Sequence, residues 1–252
     1  MNNVTSVSEL PFSQQKLIEL NAEDGFTSLV DGFNRACDKF ADRPAYTCLG
    51  QTLSFQEIEQ LSRQFGCYLV EHCGLVQGDR VAVQLPNINQ FPIAIWGILR
   101  AGLVVVNTNP LYTAREQLHQ FNDSGAKVLV VLSDLLPLTE QVVPQTGVEM
   151  VIATSAIDLL QPQPLPASSL TQIVSFTDAL AQGAGKQLPV ISSTMADVAV
   201  LQYTGGTTGP SKGAILSHGN IFGGQRMSKL SVDFSDEAVP DLLIAPMPLY
   251  HV

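Results

Sequence analysis

The 252-residue sequence predicts an α/β protein in which largely parallel sheets are flanked by helices. Helical and strand patterns alternate along the chain, most regularly between Val81 and Ala153. Short apolar runs rich in β-branched residues, such as Leu103 to Val106 and Lys127 to Leu132, suit strands buried on both faces. The length accommodates one large domain or two modest ones, and 45% hydrophobic residues supply a real core.

The elements follow in order. Leu29, Phe33, Ala36, Cys37 and Phe40 fall at helical spacing over 27–40, with Pro44 just beyond. Ala45 to Leu49 and Thr52-Leu53 flank Gly50-Gln51 as a hairpin. Ser54 and Glu57 form a capping box, behind which Ile58, Leu61, Phe65 and Leu69 mark a buried helical stripe that fades near Gly74. Gly78-Asp79 turns the chain into the strand Val81-Ala82-Val83. A helix over Ile93 to Leu99 stops at Gly102, and Leu103 to Val106 is the next strand. Thr113 and Glu116 form a second capping box for a helix with Leu118 and Phe121 on one face, ending at Gly125. Lys127 to Leu132 and Val148 to Ala153 are further strands. The proline-rich stretch Gln161 to Ser169 reads as a surface connection. It divides the chain into a first α/β subdomain, 1–165, and the start of a second, 166–252. Asp197 to Tyr203 resumes with an apolar strand.

Composition excludes several classes. With 13 Lys+Arg against 23 Asp+Glu and a net charge of −10, no nucleic-acid partner is expected. An anionic substrate must be held by local groups, because the global field repels it. Disorder is excluded by the hydrophobic content. Cys37, Cys48, Cys67 and Cys73 form no CxxC pair and read as reduced, mostly buried thiols of a cytoplasmic protein. The N-terminus shows no secretory pattern. The uncharged run Val81 to Leu99 contains Pro86, Asn87, Asn89, Gln90 and Pro92, so a membrane span is not expected. No spacing of His, Cys or carboxylates fits a structural metal. His72 and His119 fall within predicted helices and read as surface residues.

Tyr203 to Ala214 is the most informative stretch. Gly205, Gly206 and Gly209 let the backbone turn tightly and bring its N–H groups to a ligand. Thr204, Thr207 and Thr208 add hydroxyls, and Lys212 supplies a compact positive charge for phosphate oxygens. A Walker loop, G-x-x-x-x-G-K-S/T, fails here at both neighbours of the lysine, since Lys212 follows Ser211 and precedes Gly213. A plain polar turn matches poorly too, because six glycine or hydroxyl residues run in a row from Thr204. Lys212 to Leu216 reads as extended, with Ser217 capping a helix that reaches about Leu230, so the loop is expected between two strands.

This stretch resembles the phosphate-loop signature of the adenylate-forming superfamily, which includes acyl-CoA synthetases, luciferases and adenylation domains of peptide synthetases. It departs at Pro210-Ser211, where the usual order puts proline directly before lysine. Gly205 is similar to bacterial long-chain fatty acid–CoA ligases, where many other members have serine. Leu53 to Ile58, Ile98 to Gly102 continuing to Asn107-Thr108-Asn109-Pro110, Ser217 to Asn220, and Pro248-Leu249-Tyr250-His251 resemble further motifs in family order.

The resemblance implies that a carboxylate attacks the α-phosphorus of ATP, giving an acyl-adenylate and pyrophosphate, after which the thiol of coenzyme A displaces AMP. By analogy Tyr203, Thr204, Gly205, Gly206, Thr207, Thr208, Gly209, Lys212 and Gly213 bind the polyphosphate. Thr204 contacts Mg²⁺, and Tyr250 and the catalytic His251 border the adenylate, acyl chain and thiol entry. The family's aromatic-Gly-x-Thr-Glu segment, ribose-binding Asp, hinge and C-terminal domain with its catalytic Lys are not found in the 252 residues. The chain is therefore expected to be the N-terminal portion of a long-chain fatty acid–CoA ligase, inactive alone and in contact with the inner membrane surface at most peripherally. An apolar, strand-like Leu242 to Val252 is expected to drive homo-oligomer formation. An aryl-CoA ligase, an amino-acid adenylating domain and a non-catalytic nucleotide-binding module remain alternatives.

Overall fold

The computed structural model describes residues 25–204, 210–231 and 242–250. Helix α1 (Leu29–Lys39) begins at Ser28, whose hydroxyl accepts the Asp31 N–H, and buries Leu29, Phe33 and Cys37. A hairpin follows, β1 (Pro44–Cys48) with β2 (Gln51–Ser54). Its turn is Leu49-Gly50 rather than the expected Gly50-Gln51, because these two residues adopt the positive φ (52° and 80°) that a tight two-residue hairpin requires.

The expected capping boxes are both formed. Ser54 opens α2 (Phe55–Glu71) with Glu57, and Thr113 opens α4 (Ala114–Ser124) with Glu116. Between them lie β3 (Arg80–Gln84), α3 (Gln90–Arg100) and β4 (Val104–Asn107). Beyond α4 come β5 (Ala126–Leu132), α5 (Leu136–Val142), β6 (Met150–Thr154), β7 (Ile173–Ser175) and α6 (Phe176–Gly183). The described order closes with β8 (Val198–Thr204), β9 (Lys212–Ser217) and α7 (His218–Ser231). The short elements α5, β7 and α6 carry too few residues to show a period in sequence.

Among the described residues, seven strands form one sheet in the order β7-β6-β5-β3-β4-β8-β9. All neighbours are parallel except β8 and β9. Strands on both sides of residue 165 therefore hydrogen-bond within the same sheet. Side chains alternate along each strand, which splits the core in two. Val81, Val83, Val105, Val128 and Val130 face a layer with Phe33, Phe65, Ile93 and Phe176. Ala82, Val106, Leu129 and Val131 face Phe121, Leu136 and Val142 on the other side.

Helix α4 packs Phe121 and, half-buried, Leu118 against the same core layer, as their shared face predicts. Beside them Gln117 and Gln120 are fully buried, which the sequence did not signal. The reason lies in its neighbour: Gln120 donates to the Asn107 carbonyl (2.8 Å) and Gln117 to the Tyr112 carbonyl (3.2 Å), where the chain leaves the sheet. Cys37 and Cys67 are buried and Cys48 and Cys73 half-buried; all four are free thiols. No helix among the described residues is long and apolar enough to cross a membrane.

His218 joins the first and last described helices. It is 2% exposed, and its Nδ1 accepts the N–H of Leu29 (3.3 Å), one of the donors that the start of α1 leaves unpaired. Burial lowers its pKa from 6.5, against the opposing pull of Asp197. The unfolded chain therefore binds the proton more readily, and stability contributed by neutral His218 is present above about pH 6.5 and lost as pH falls through the lower folded value. Urea unfolding at pH 7.5, 6.0 and 5.0 is expected to show a falling midpoint with a contribution of up to about 1.4 kcal/mol per pH unit from this group. His218→Gln is expected to flatten that fall, and equal slopes for the two proteins would contradict it.

Candidate functional site

Because β3, β4 and β8 run parallel, their carboxyl ends at Gln84, Asn107 and Thr204 open on one edge of the sheet, where α/β proteins form their ligand crevices. At that edge the chain leaves β8 and returns as β9 in antiparallel register, Tyr203 facing Gly213 and Thr204 facing Lys212. The glycine- and threonine-rich segment is thus the connection between two strands. A Walker lysine opens a helix, whereas Lys212 opens a strand. Thr204 and Lys212 are both exposed, and Lys212 makes no ion pair among the described residues. Gly205, Gly206, Thr207, Thr208 and Gly209 lie outside the described residues, as does His251.

The base of this hairpin is braced against α4. Tyr203 is buried, and its hydroxyl donates to Asp123 (2.6 Å). Burial first, then the Asp123 carboxylate, push the phenol well above its ordinary range, so it stays a donor. Gly213 lets β9 pass close to that ring: a Cβ there would meet Tyr203 Cε2 at 3.0 Å. On the returning arm, His119 contacts the Ser211 carbonyl at 2.8 Å. A carbonyl only accepts, so His119 Nε2 carries the proton. His119 is thus half-buried and partnered, not the surface residue its place in an amphipathic helix implies.

The segment ending in Pro248-Leu249-Tyr250 crosses the same edge. Asn87, in the loop after β3, donates to the carbonyls of Ala245 (3.0 Å) and Met247 (2.8 Å) and accepts the Leu249 N–H (2.7 Å). Gln202 donates to the Tyr250 carbonyl (3.0 Å) and accepts from Asn107 (2.9 Å). Residues 242–250 form no strand, contrary to expectation, since side-chain amides rather than a neighbouring strand take up these backbone groups. The buried side-chain oxygens of Gln84, Asn107, Gln117 and Gln120 have no partner among the described residues.

The fold therefore gathers Tyr203, Thr204, Lys212, Gly213 and Tyr250 at one edge. His119, Asp123, Asn87 and Gln202 join them, though no sequence signal marked them. Only their proximity in order to the motifs, Gln202 two residues before Thr204, offered a hint.

Residues 33–252 match the AMP-binding enzyme family, and the chain belongs to this adenylate-forming family. It is similar to the long-chain-fatty-acid–CoA ligase of Haemophilus influenzae, 41% identical over 243 residues, which cover 90% of this chain and 43% of that protein. The Salmonella typhimurium enzyme of the same name is 39% identical over 243 residues, covering 91% and 43%. A solved long-chain-fatty-acid–CoA ligase from Archaeoglobus fulgidus superposes with a TM-score of 0.68 at 26% identity, covering 90% of this chain and 43% of that one. The chain thus spans about two fifths of the length of the curated relatives it matches.

Proposed function

We propose that this chain supplies the polyphosphate grip of an ATP-dependent long-chain fatty acid–CoA ligase. The observation that supports it is the exposed Thr204–Lys212 pair standing on either side of the glycine-threonine connection, at the carboxyl edge of a parallel sheet. In a protein of net charge −10, a local ammonium and a row of amides and hydroxyls are what a triphosphate requires. As a fatty acid carboxylate displaces pyrophosphate, negative charge builds on the departing group, and donors fixed in advance stabilise it without reorganising. The exposed Thr204 hydroxyl fits a place in the shell of a Mg²⁺ ion that is otherwise held by phosphate oxygens, and the ion would neutralise the same charge. Tyr250 and His251 border the acyl chain and the thiol of coenzyme A in this scheme. Fatty acids rather than aryl or amino acids are favoured by the relatives named above.

Titration with MgATP, magnesium tripolyphosphate and adenosine tests the grip. Tripolyphosphate is expected to compete with ATP at similar affinity and adenosine not at all; failure of both phosphate ligands to bind at millimolar concentration overturns the proposal. Because the aromatic-Gly-x-Thr-Glu segment is not among the 252 residues, we also propose that the chain by itself does not carry out ATP–pyrophosphate exchange, which an exchange assay checks directly.

Leu242, Leu243, Ile244 and Met247 are 69–87% exposed, an apolar run with no strand partner among the described residues. Self-association of the chain through this run is expected, with sedimentation velocity showing a concentration-dependent shift that Leu243→Asp and Ile244→Asp together abolish.

A further inference from the structure

Asn87 engages a segment far from it in sequence with every hydrogen-bonding atom of its carboxamide. Both Nδ2 hydrogens go to the carbonyls of Ala245 and Met247, and Oδ1 accepts the Leu249 N–H. The loop that carries it is itself held still. The Ile88 N–H donates to the Pro86 carbonyl (2.8 Å), the Cys48 thiol donates to the Asn87 carbonyl (3.2 Å), and Asn89 donates to the Gln51 carbonyl (3.1 Å). A side chain fixed at its base and saturated at its tip sets the path of the backbone it binds.

One residue past that backbone, the Tyr250 carbonyl meets Gln202, which lies on the same face of β8 as Thr204. Gln202 is in turn held by Asn107 (2.9 Å), whose own carbonyl accepts from Gln120 (2.8 Å).

We infer that Asn87 is a positioning residue that fixes the Ala245–Leu249 backbone, and that Gln202 links its Tyr250 end to the hairpin bearing Thr204 and Lys212. The link to the hairpin gains catalytic meaning from the ligase reading above; the anchoring by Asn87 does not depend on it.

Residue-resolved amide hydrogen exchange tests both parts. In Asn87→Ala, which removes the acceptor of the Leu249 N–H and both donors, Leu249 is expected to exchange about tenfold faster or more. The same-shaped Asn87→Asp keeps that acceptor but turns the two donated bonds into oxygen–oxygen contacts, and a smaller increase is expected. Val128 to Val131 of β5 report whether the fold is kept. Unchanged Leu249 exchange in Asn87→Ala with β5 still protected overturns the anchoring. In the unsubstituted chain, saturating magnesium tripolyphosphate is expected to slow Leu249 exchange at least threefold, and Gln202→Leu to abolish that slowing. Bound tripolyphosphate without such slowing overturns the link. Absence of tripolyphosphate binding defeats the ligase reading instead, and the Asn87 variants still decide the anchoring.

Discussion

Replacing Lys212 with alanine is expected to weaken MgATP binding by about 10- to 100-fold, the worth of a charge-assisted hydrogen bond to a phosphate. The residue opens β9 directly across from Thr204, is exposed, and pairs with no acid among the described residues. Its ammonium therefore serves no described structural partner, and the variant's melting temperature is expected to stay within about 2 °C of the parent, as for other surface changes. Lys212→Arg keeps the charge but replaces a compact point with a planar fork, so an intermediate loss is expected. Raising the salt concentration is expected to weaken the parent's binding more than the alanine variant's, since the attraction lost is screened by ions. Calorimetric titration checks all three; an affinity for MgATP within twofold of the parent in Lys212→Ala would remove the lysine from the phosphate grip.

Gly183→Ala is expected to cause the largest loss of stability among glycine-to-alanine changes at the described residues. Gly183 ends α6 where it meets α2, and a Cβ there would lie 1.9 Å from the Gln64 carbonyl oxygen and 2.8 Å from its carbon. Both are backbone atoms inside a helix, so no side chain can swing aside; the helices themselves must separate. The same intimacy recurs between α2 and α3, where a Cβ on Gly97 would meet the Ser62 carbonyl at 2.7 Å and one on Gly66 the Gly97 carbonyl at 2.9 Å. Forcing an atom into such a contact costs about 3 kcal/mol or more, or roughly 6–12 °C in melting temperature for a domain of this size. Gly147, whose Cβ would meet nothing within 4 Å, provides the control and is expected to change stability by less than about 0.5 kcal/mol on substitution by alanine. Thermal unfolding of the two variants measures the contrast, and equal melting temperatures would show that α2 and α6 are not packed this closely.

Much of the architecture was readable residue by residue. Ser54 with Glu57 and Thr113 with Glu116 announce helix starts because each box satisfies its own backbone donors. Gly102 and Gly125 announce helix ends because they take φ of 69° and 61° at little cost. The β-branched runs of β3 to β6 became strands with both faces covered. Polar side chains were harder. A glutamine on α4 looks like a surface residue until the Asn107 carbonyl is placed beside it, and His119 until the Ser211 carbonyl is.

Local sequence determined the longer elements and their caps, because these depend on backbone torsions and on hydrogen bonds made within a few residues. Tertiary structure alone decided the strand order, the path of residues 242–250, and the partnership of Asn87, His119, Asp123 and Gln202 with the site. An amide, imidazole or carboxylate carries the same hydrogen-bonding groups wherever it occurs, and only the packing of distant segments determines which partner lies within 3 Å.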